Sequence, residues 1–137
     1  MTAKYVDTLR TTWVTAYGTA AGNASKILLC SGTKPATKGS TTPTPLRTFT
    51  CGSPFFASVT NGVGTANAIA AVASLGGGPI PGTNATWARH VTSADVFIDD
   101  LDVTATGGGG DMTLDATGIV DNVSIAITSL TITAPGA

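Results

Sequence analysis

Few residues of this chain could perform acid–base, nucleophilic or metal chemistry. His90 is the single histidine, and three carboxylates follow it at Asp99, Asp100 and Asp102 in the segment DDLD. A catalytic histidine needs a nucleophile or a carboxylate beside it in space, and the spacing in the sequence does not supply one. We therefore interpret His90 as a strand residue that faces solvent or a neighbouring subunit.

The three carboxylates could form part of a calcium site, because Ca²⁺ prefers oxygen ligands. However, no EF-hand loop surrounds them, and strand alternation would place Asp100 and Asp102 on one face and Asp99 on the other. We interpret them as a solvated turn or bend at Asp99-Asp100 whose charge discourages pairing between sheet edges. The sequence predicts no metal and no cofactor.

Two further features resemble chemical motifs only superficially. The glycine run 107–110 lacks the lysine and the helix start of a phosphate cradle, so we expect a hairpin turn or a close approach to a subunit there. The chain contains no glutamate, which leaves no Glu for a glycosidase acid. Cys30 and Cys51 end apolar segments; we interpret them as buried thiols, although a disulfide is possible if their strands lie side by side.

The composition indicates a protein that functions in contact with other proteins. Only 11% of the 137 residues are charged, the formal net charge is −1, and 25 residues are threonine. Such a surface lacks the positive charge that attracts nucleic acid or anionic lipid. Electrostatic repulsion between copies is also weak, which favours association. No apolar run reaches the roughly 18–20 residues needed to span a bilayer. The start MTAKYVDTLRTTW does not read as a secretory signal, so we expect no targeting.

The residue pattern predicts one helix followed by about eight strands. Apolar residues recur at helical spacing between residues 3 and 20, and packing of this aromatic stripe should hold a helix whose threonines are poor helix formers. The stripe consists of Tyr5, Leu9, Trp13, Ala16, Tyr17 and Ala20. Thr2 could cap the start of this helix, and Gly18 or Gly22 could end it.

Short strands with turn signals fill the rest of the chain. Asn61-Gly62 predicts a hairpin, while the alanine-rich return after it is ambiguous between strand and helix. The proline-rich segment 34–45 and the segment 76–82 predict loops, of which 34–45 is the longer. A change of alternation at Thr128-Ser129 predicts a bulge or a bend. We therefore expect a single β-sandwich or jelly-roll-like domain of about eight strands, with residues 1–22 packed as a helix on residues 23–137.

Arg89 shares a strand face with Trp87 and Val91, which would place a charge inside the protein. Because an unpaired buried charge is costly, we predict that Arg89 is paired with an aspartate or lies at a subunit interface.

Three segments resemble a family of small virion structural proteins of tailed bacteriophages. They are SGTKP (residues 31–35), ATW (residues 85–87) and LDATGIVDNVSIAITSLTIT (residues 114–133), the most specific parts of a similarity that covers most of the chain. The segment GGGPIPG and the two cysteines depart from the family pattern. None of the three segments is a catalytic motif, so the resemblance carries no active-site residue and implies a place in the phage particle.

Within that resemblance we expect a capsid decoration or cement protein on the capsid surface. It would bind the major capsid protein and copies of itself, as a dimer or trimer, without contacting nucleic acid or membrane. The candidate interface residues are Lys34, Pro35, Thr37, Lys38, Arg89, His90, Asp99 and Asp100. The alternatives are a tail or head-fibre component that contacts a host glycan around Asp99 to Asp102, and a small cell-wall hydrolase using His90 and the aspartates.

Overall fold

The computed structural model describes residues 3–40, 42–72, 83–119 and 123–136. The predicted cap at Thr2 and the whole of the predicted loop at residues 76–82 lie outside these ranges. One helix, α1 (Asp7–Ala21), comes first. Within the described ranges ten strands follow: β1 (Lys26–Cys30), β2 (Arg47–Thr50), β3 (Phe56–Thr60), β4 (Val63–Ala66), β5 (Thr83–Asn84), β6 (Trp87–Val91), β7 (Phe97–Ala105), β8 (Met112–Leu114), β9 (Gly118–Ile119) and β10 (Ile127–Thr133).

Eight of these strands form one curled sheet in the order β2-β1-β6-β7-β8-β10-β4-β3. All neighbours in this sheet are antiparallel except β7 and β8, and the short strands β5 and β9 pair separately. The expected fold class, a mainly β domain with an N-terminal helix, is confirmed.

The curl of the sheet encloses a single hydrophobic core. Side chains from strands near both ends of the strand order belong to one buried cluster, which shows that the sheet wraps around its own inner face. The largest members are Phe49, Phe55, Ile27, Leu29, Leu101, Met112, Leu114, Ile119 and Ile125.

Two local predictions are confirmed. Asn61 and Gly62 have φ values of 50° and 77° and join β3 to β4, with Thr60 paired to Val63. Positive φ at both central residues is what a two-residue hairpin of the primed type requires. The register of β10 against β8 shifts between Ile127 and Ser129, which is the irregularity expected near Thr128.

The expected turn at Asp99-Asp100 is wrong. β7 runs without interruption from Phe97 to Ala105, and Asp99 and Asp100 pair with His90 and Arg89 of β6. The register shift in this strand pair lies at Ile98 of β7, because Asp99 pairs with His90 while Phe97 pairs with Val91. Pairing partners on β6 therefore outweigh the turn preference of two adjacent aspartates.

The expectation of a hairpin at the glycine run is also wrong, because residues 106–111 connect the parallel strands β7 and β8. Because β7 and β8 are parallel, the short connection must first run in the direction opposite to β7 and then reverse to enter β8. Gly107 and Gly109 adopt φ values of 87° and 82°, and a Cβ on Gly110 would lie 2.9 Å from the carbonyl oxygen of Asp102. Glycine is required for both the backbone angles and the close approach.

Candidate interaction surface

Helix α1 turns its predicted aromatic stripe outward. Tyr5, Leu9 and Trp13 are 47%, 54% and 49% exposed, whereas the buried residues of the helix are Arg10, Val14 and Ala21. We define Tyr5, Leu9 and Trp13 as the outer ridge. The expectation that the stripe packs inward is therefore wrong for Tyr5, which precedes the helix, and for Leu9 and Trp13. Ala16 and Ala20 are exposed as well, and of the six stripe residues only Tyr17 reaches the core.

Small residues explain why α1 docks through its other face. A Cβ on Gly64 of β4 would lie 2.7 Å from Val14 Cγ1, and a Cβ on Gly18 would lie 2.7 Å from the Phe56 ring. These two glycines let the helix approach the β3–β4 hairpin closely, with Val14 fully buried. A pattern of large apolar residues cannot reveal such a contact, because glycine contributes nothing to it.

Arg10 fixes the N-terminal half of α1. Its Nη1 donates to the carbonyl oxygen of Asn61 at 2.8 Å and to Asp7 Oδ1 at 3.0 Å, and its Nη2 donates to the carbonyl oxygen of Ala134 at 3.2 Å. The Gly62 N–H also donates to the hydroxyl of Thr11 at 3.0 Å. The helix is thus tied to the hairpin and to residue 134, which holds the outer ridge toward solvent.

A shallow groove of about 290 Å³ runs beside the outer ridge. Ala134 and Pro135 form its other wall, and Arg10 contributes to its lining. Val6, 68% exposed, extends the apolar surface at the start of the helix. Contiguous exposed apolar surface of this kind commonly marks a site of protein association.

The remaining outward surface of α1 carries no charge. No charged residue occurs between Thr11 and Ser25. The hydroxyls of Thr12 and Thr19 donate to the carbonyl oxygens of Thr8 and Thr15, at 2.9 and 3.1 Å. Because these hydroxyls are bonded within the helix, burying them against a partner leaves no donor unsatisfied.

His90 lies inside the protein, so the interpretation that it faces solvent or a neighbour is wrong. It is 0% exposed, with Nδ1 2.9 Å from the hydroxyl of Tyr17 and Nε2 2.8 Å from that of Ser25. The Phe55 ring lies 4.6 Å from the imidazole, centroid to centroid. Burial lowers the pKa of His90 to about 4, because a charged imidazole loses its hydration there.

Ser25 and His90 superficially resemble a nucleophile with its base, as the hydrolase interpretation would require. Both residues are 0% exposed, so no substrate carbonyl can reach the serine oxygen in this arrangement. Tyr17, in the position of an orienting group, has its pKa raised by burial. The cluster links α1 to β6 and to the start of β1, which is a structural role.

Arg89 is paired with an aspartate, as predicted. Its Nε and Nη2 donate to the two carboxylate oxygens of Asp100 at 2.8 and 3.0 Å, and the two side chains are 6% and 8% exposed. The guanidinium also stacks on Trp87 and Phe97, with Cζ 5.5 and 5.2 Å from the ring centroids. Neither charge is therefore presented to a partner.

The other predicted interface residues differ in accessibility. Lys34 Nζ lies 2.8 Å from Asp102 Oδ1, which anchors the start of the proline-rich loop to the outer face of β7. Pro35 is partly buried, whereas Thr37 and Lys38 are exposed. Asp99 lies on the other face, opposite His90, and burial raises the pKa of its carboxyl. Of the eight residues, Thr37 and Lys38 are the most accessible.

The two cysteines are free and buried, as we interpreted them. The antiparallel register of β1 and β2 places Cys30 and Cys51 at opposite ends of the strand pair. Cys51 lies opposite Ser25, five residues of extended chain from Cys30, which is about 17 Å and too far for a disulfide.

No protein-family model, curated protein sequence or solved structure matches this chain. Within the part of the chain that the structure describes, no group of three His, Cys, Asp or Glu residues is placed to hold a metal ion. Among the same residues, no helix combines the length and apolarity needed to cross a bilayer. The outer ridge is therefore the surface whose physical properties point most directly to a role.

Proposed function

We propose that this protein is a non-enzymatic structural component of a tailed-bacteriophage virion, and specifically a decoration protein that binds and stabilises the major capsid shell. The observation that carries the proposal is the outer ridge, three large side chains about half exposed on, or just before, the first turns of a firmly anchored helix. A surface of this kind is stable in water only at a cost, which association with other protein removes.

The charge-poor composition supports the same role. With 11% charged residues and a net charge of −1, the chain brings little electrostatic repulsion to a crowded shell. The loop around Thr37 and Lys38 is the second accessible surface, and Lys34 holds its start against Asp102. We assign contact with the capsid shell to this loop, because a loop anchored at one end loses little conformational entropy when it binds.

The glycan-binding alternative has less physical support. Asp100 and Asp102, which were expected to contact a sugar, are engaged by Arg89 and Lys34. Attachment to a host glycan is therefore the alternative function, and a location of the protein on the tail or a fibre would support it.

The proposal is tested on particles that lack the protein. Purified protein is added back, unbound protein is removed by sedimentation, and DNA release is followed during heating. We expect bound protein to raise the temperature of DNA release, and Thr37→Asp together with Lys38→Asp to abolish binding. The matched control is Thr48→Asp together with Thr50→Asp, on the exposed side of β2.

Equal DNA release with and without bound protein would contradict stabilisation of the shell. A cryo-EM map of the intact particle gives the location directly. Density that bridges major capsid subunits would support the proposal, whereas density confined to the tail or a fibre would replace it with the attachment role.

A further inference from the structure

We propose that the outer ridge binds a second copy of this chain, with the two copies related by a twofold axis at Leu9 so that their α1 helices run antiparallel and overlap at their first turns. The inference rests on the proposed function only in treating the ridge as an assembly contact, because two copies can meet without a capsid.

The first argument is the symmetry of the ridge itself. Trp13 lies one helical turn after Leu9 on α1, and Tyr5 lies four residues before Leu9 in the non-helical segment that precedes the helix. All three side chains line the same groove. A twofold axis at Leu9 brings the two Leu9 side chains together and places Tyr5 opposite Trp13 of the second copy. A surface built as aromatic, aliphatic, aromatic is therefore its own complement, which a twofold interface requires.

The second argument is charge. Self-association usually brings like charges together, but Tyr5, Leu9 and Trp13 are uncharged and no charged residue follows Arg10 on α1. The only charged residues of α1 are Asp7 and Arg10, and they already form an ion pair of 3.0 Å within the helix. Two copies of this surface can therefore meet with little electrostatic repulsion.

The third argument is shape and area. The groove beside the ridge, about 290 Å³, is large enough to receive one aromatic side chain of the second copy. The exposed parts of the ridge and of Val6 amount to on the order of 400 Å², against roughly 800 Å² per partner in a standard interface. The ridge thus forms the apolar centre of a modest interface, and we expect a dimer with a dissociation constant in the micromolar range.

Sedimentation velocity over a concentration series tests the inference on the purified full chain. We expect the wild type to convert from monomer to dimer, and Leu9→Asp to weaken the dimer at least tenfold by opposing two carboxylates at the axis. The matched control is Val96→Asp, which places the same charge on another exposed apolar residue, 60% exposed, and should dimerise as the wild type does.

A cysteine variant tests the geometry independently of Leu9→Asp. Because Cys30 and Cys51 are buried, Leu9→Cys carries the accessible thiol and should form a disulfide-linked dimer under mild oxidation. Thr19→Cys, exposed near the other end of α1, should not, because an antiparallel pair centred at Leu9 keeps the two Thr19 positions far apart. Equal cross-linking of both variants would overturn the antiparallel arrangement.

A wild type that stays monomeric at all concentrations would overturn the inference, as would a Leu9→Asp variant that dimerises unchanged. If the monomer instead binds phosphatidylcholine vesicles or capsid particles through the ridge, those are the occupants and the second copy is not. Dimerisation without particle binding would leave the inference standing and refute the proposed function, so the two failures are distinguishable.

Discussion

Arg89 and Asp100 meet across β6 and β7 through two hydrogen bonds, of 2.8 Å from Nε to Oδ1 and 3.0 Å from Nη2 to Oδ2. Both side chains are more than nine-tenths buried, on the sheet face opposite the hydrophobic core. The proline-rich loop and the rings of Trp87 and Phe97 lie around them. A charge pair therefore sits at the centre of the outer layer of the protein.

Removing the Asp100 charge should destabilise the protein strongly. Asp100→Asn leaves the buried guanidinium without its carboxylate, and we expect a loss of about 3–5 kcal/mol in the free energy of unfolding. Asp95→Asn is the control, because Asp95 pairs with Lys26 with its side chain 68% exposed, and such pairs contribute less than about 1 kcal/mol. Urea unfolding of both variants decides; equal losses would contradict the importance of the buried pair.

Acid should weaken the fold through His90. Its folded pKa, about 4, lies below the ordinary value of 6.5, so the unfolded chain binds more protons between these values. Stability is therefore retained above pH 6.5 and falls as the pH drops from 6.5 to 4, by about 3 kcal/mol in total. Asp99, whose pKa is raised by burial, acts in the opposite direction at the acidic end.

The measurement for this prediction is the free energy of unfolding at a series of pH values from 7.5 to about 4. We expect the slope in this window to be smaller in His90→Gln, which cannot titrate, even though that variant is less stable throughout. The same slope in both proteins would show that another group causes it.

Gly64→Ala should destabilise the contact between α1 and the hairpin. A methyl group there would lie 2.5 Å from Phe56 Cε1 and 2.7 Å from Val14 Cγ1, so both neighbours must shift. We expect a loss of about 1–3 kcal/mol, as for other overpacked cores. Gly118→Ala is the control, since its nearest neighbour is Asn84 at 3.6 Å. Thermal melting of both variants tests this; a Gly64→Ala protein as stable as the control would refute the close approach.

Lys34→Met should loosen the proline-rich loop with little effect on global stability. The ion pair with Asp102 is partly exposed, with side chains 35% and 63% accessible, so it contributes under about 1 kcal/mol. Local opening should nevertheless expose the backbone at Lys38, and we expect several-fold faster tryptic cleavage there, followed by mass spectrometry. Lys26→Met, which breaks a different ion pair, should leave that cleavage rate unchanged.

The sequence predicted the features that local chemistry determines. Asn61 and Gly62 form the hairpin because few residues adopt positive φ as readily, and Arg89 finds Asp100 because a charge on a buried strand needs a partner. The irregularity near Thr128 was visible as a change in alternation. Each of these features can be inferred either from a few neighbouring residues or from the need of a buried charge for a partner.

The direction of α1 and the place of His90 depend on contacts distant in sequence. Gly64, 50 positions after Val14, decides which face of the helix packs, and a glycine leaves no trace in a hydrophobic pattern. His90 is buried because Tyr17 and Ser25 supply partners for both ring nitrogens. Neither partner is near it in the chain, so a lone histidine on a strand gave no sign of burial.

The position of β10 has a consequence for how the protein is made. β10 lies between β8 and β4, so among the described strands it is the one that joins the hairpin β3–β4 to the rest of the sheet, and it follows all the other described strands in the sequence. The sheet can close only after Thr133 has left the ribosome. Until then the nascent chain exposes the free edges of β8 and β4, and we expect folding to finish after translation of β10, in a single late step.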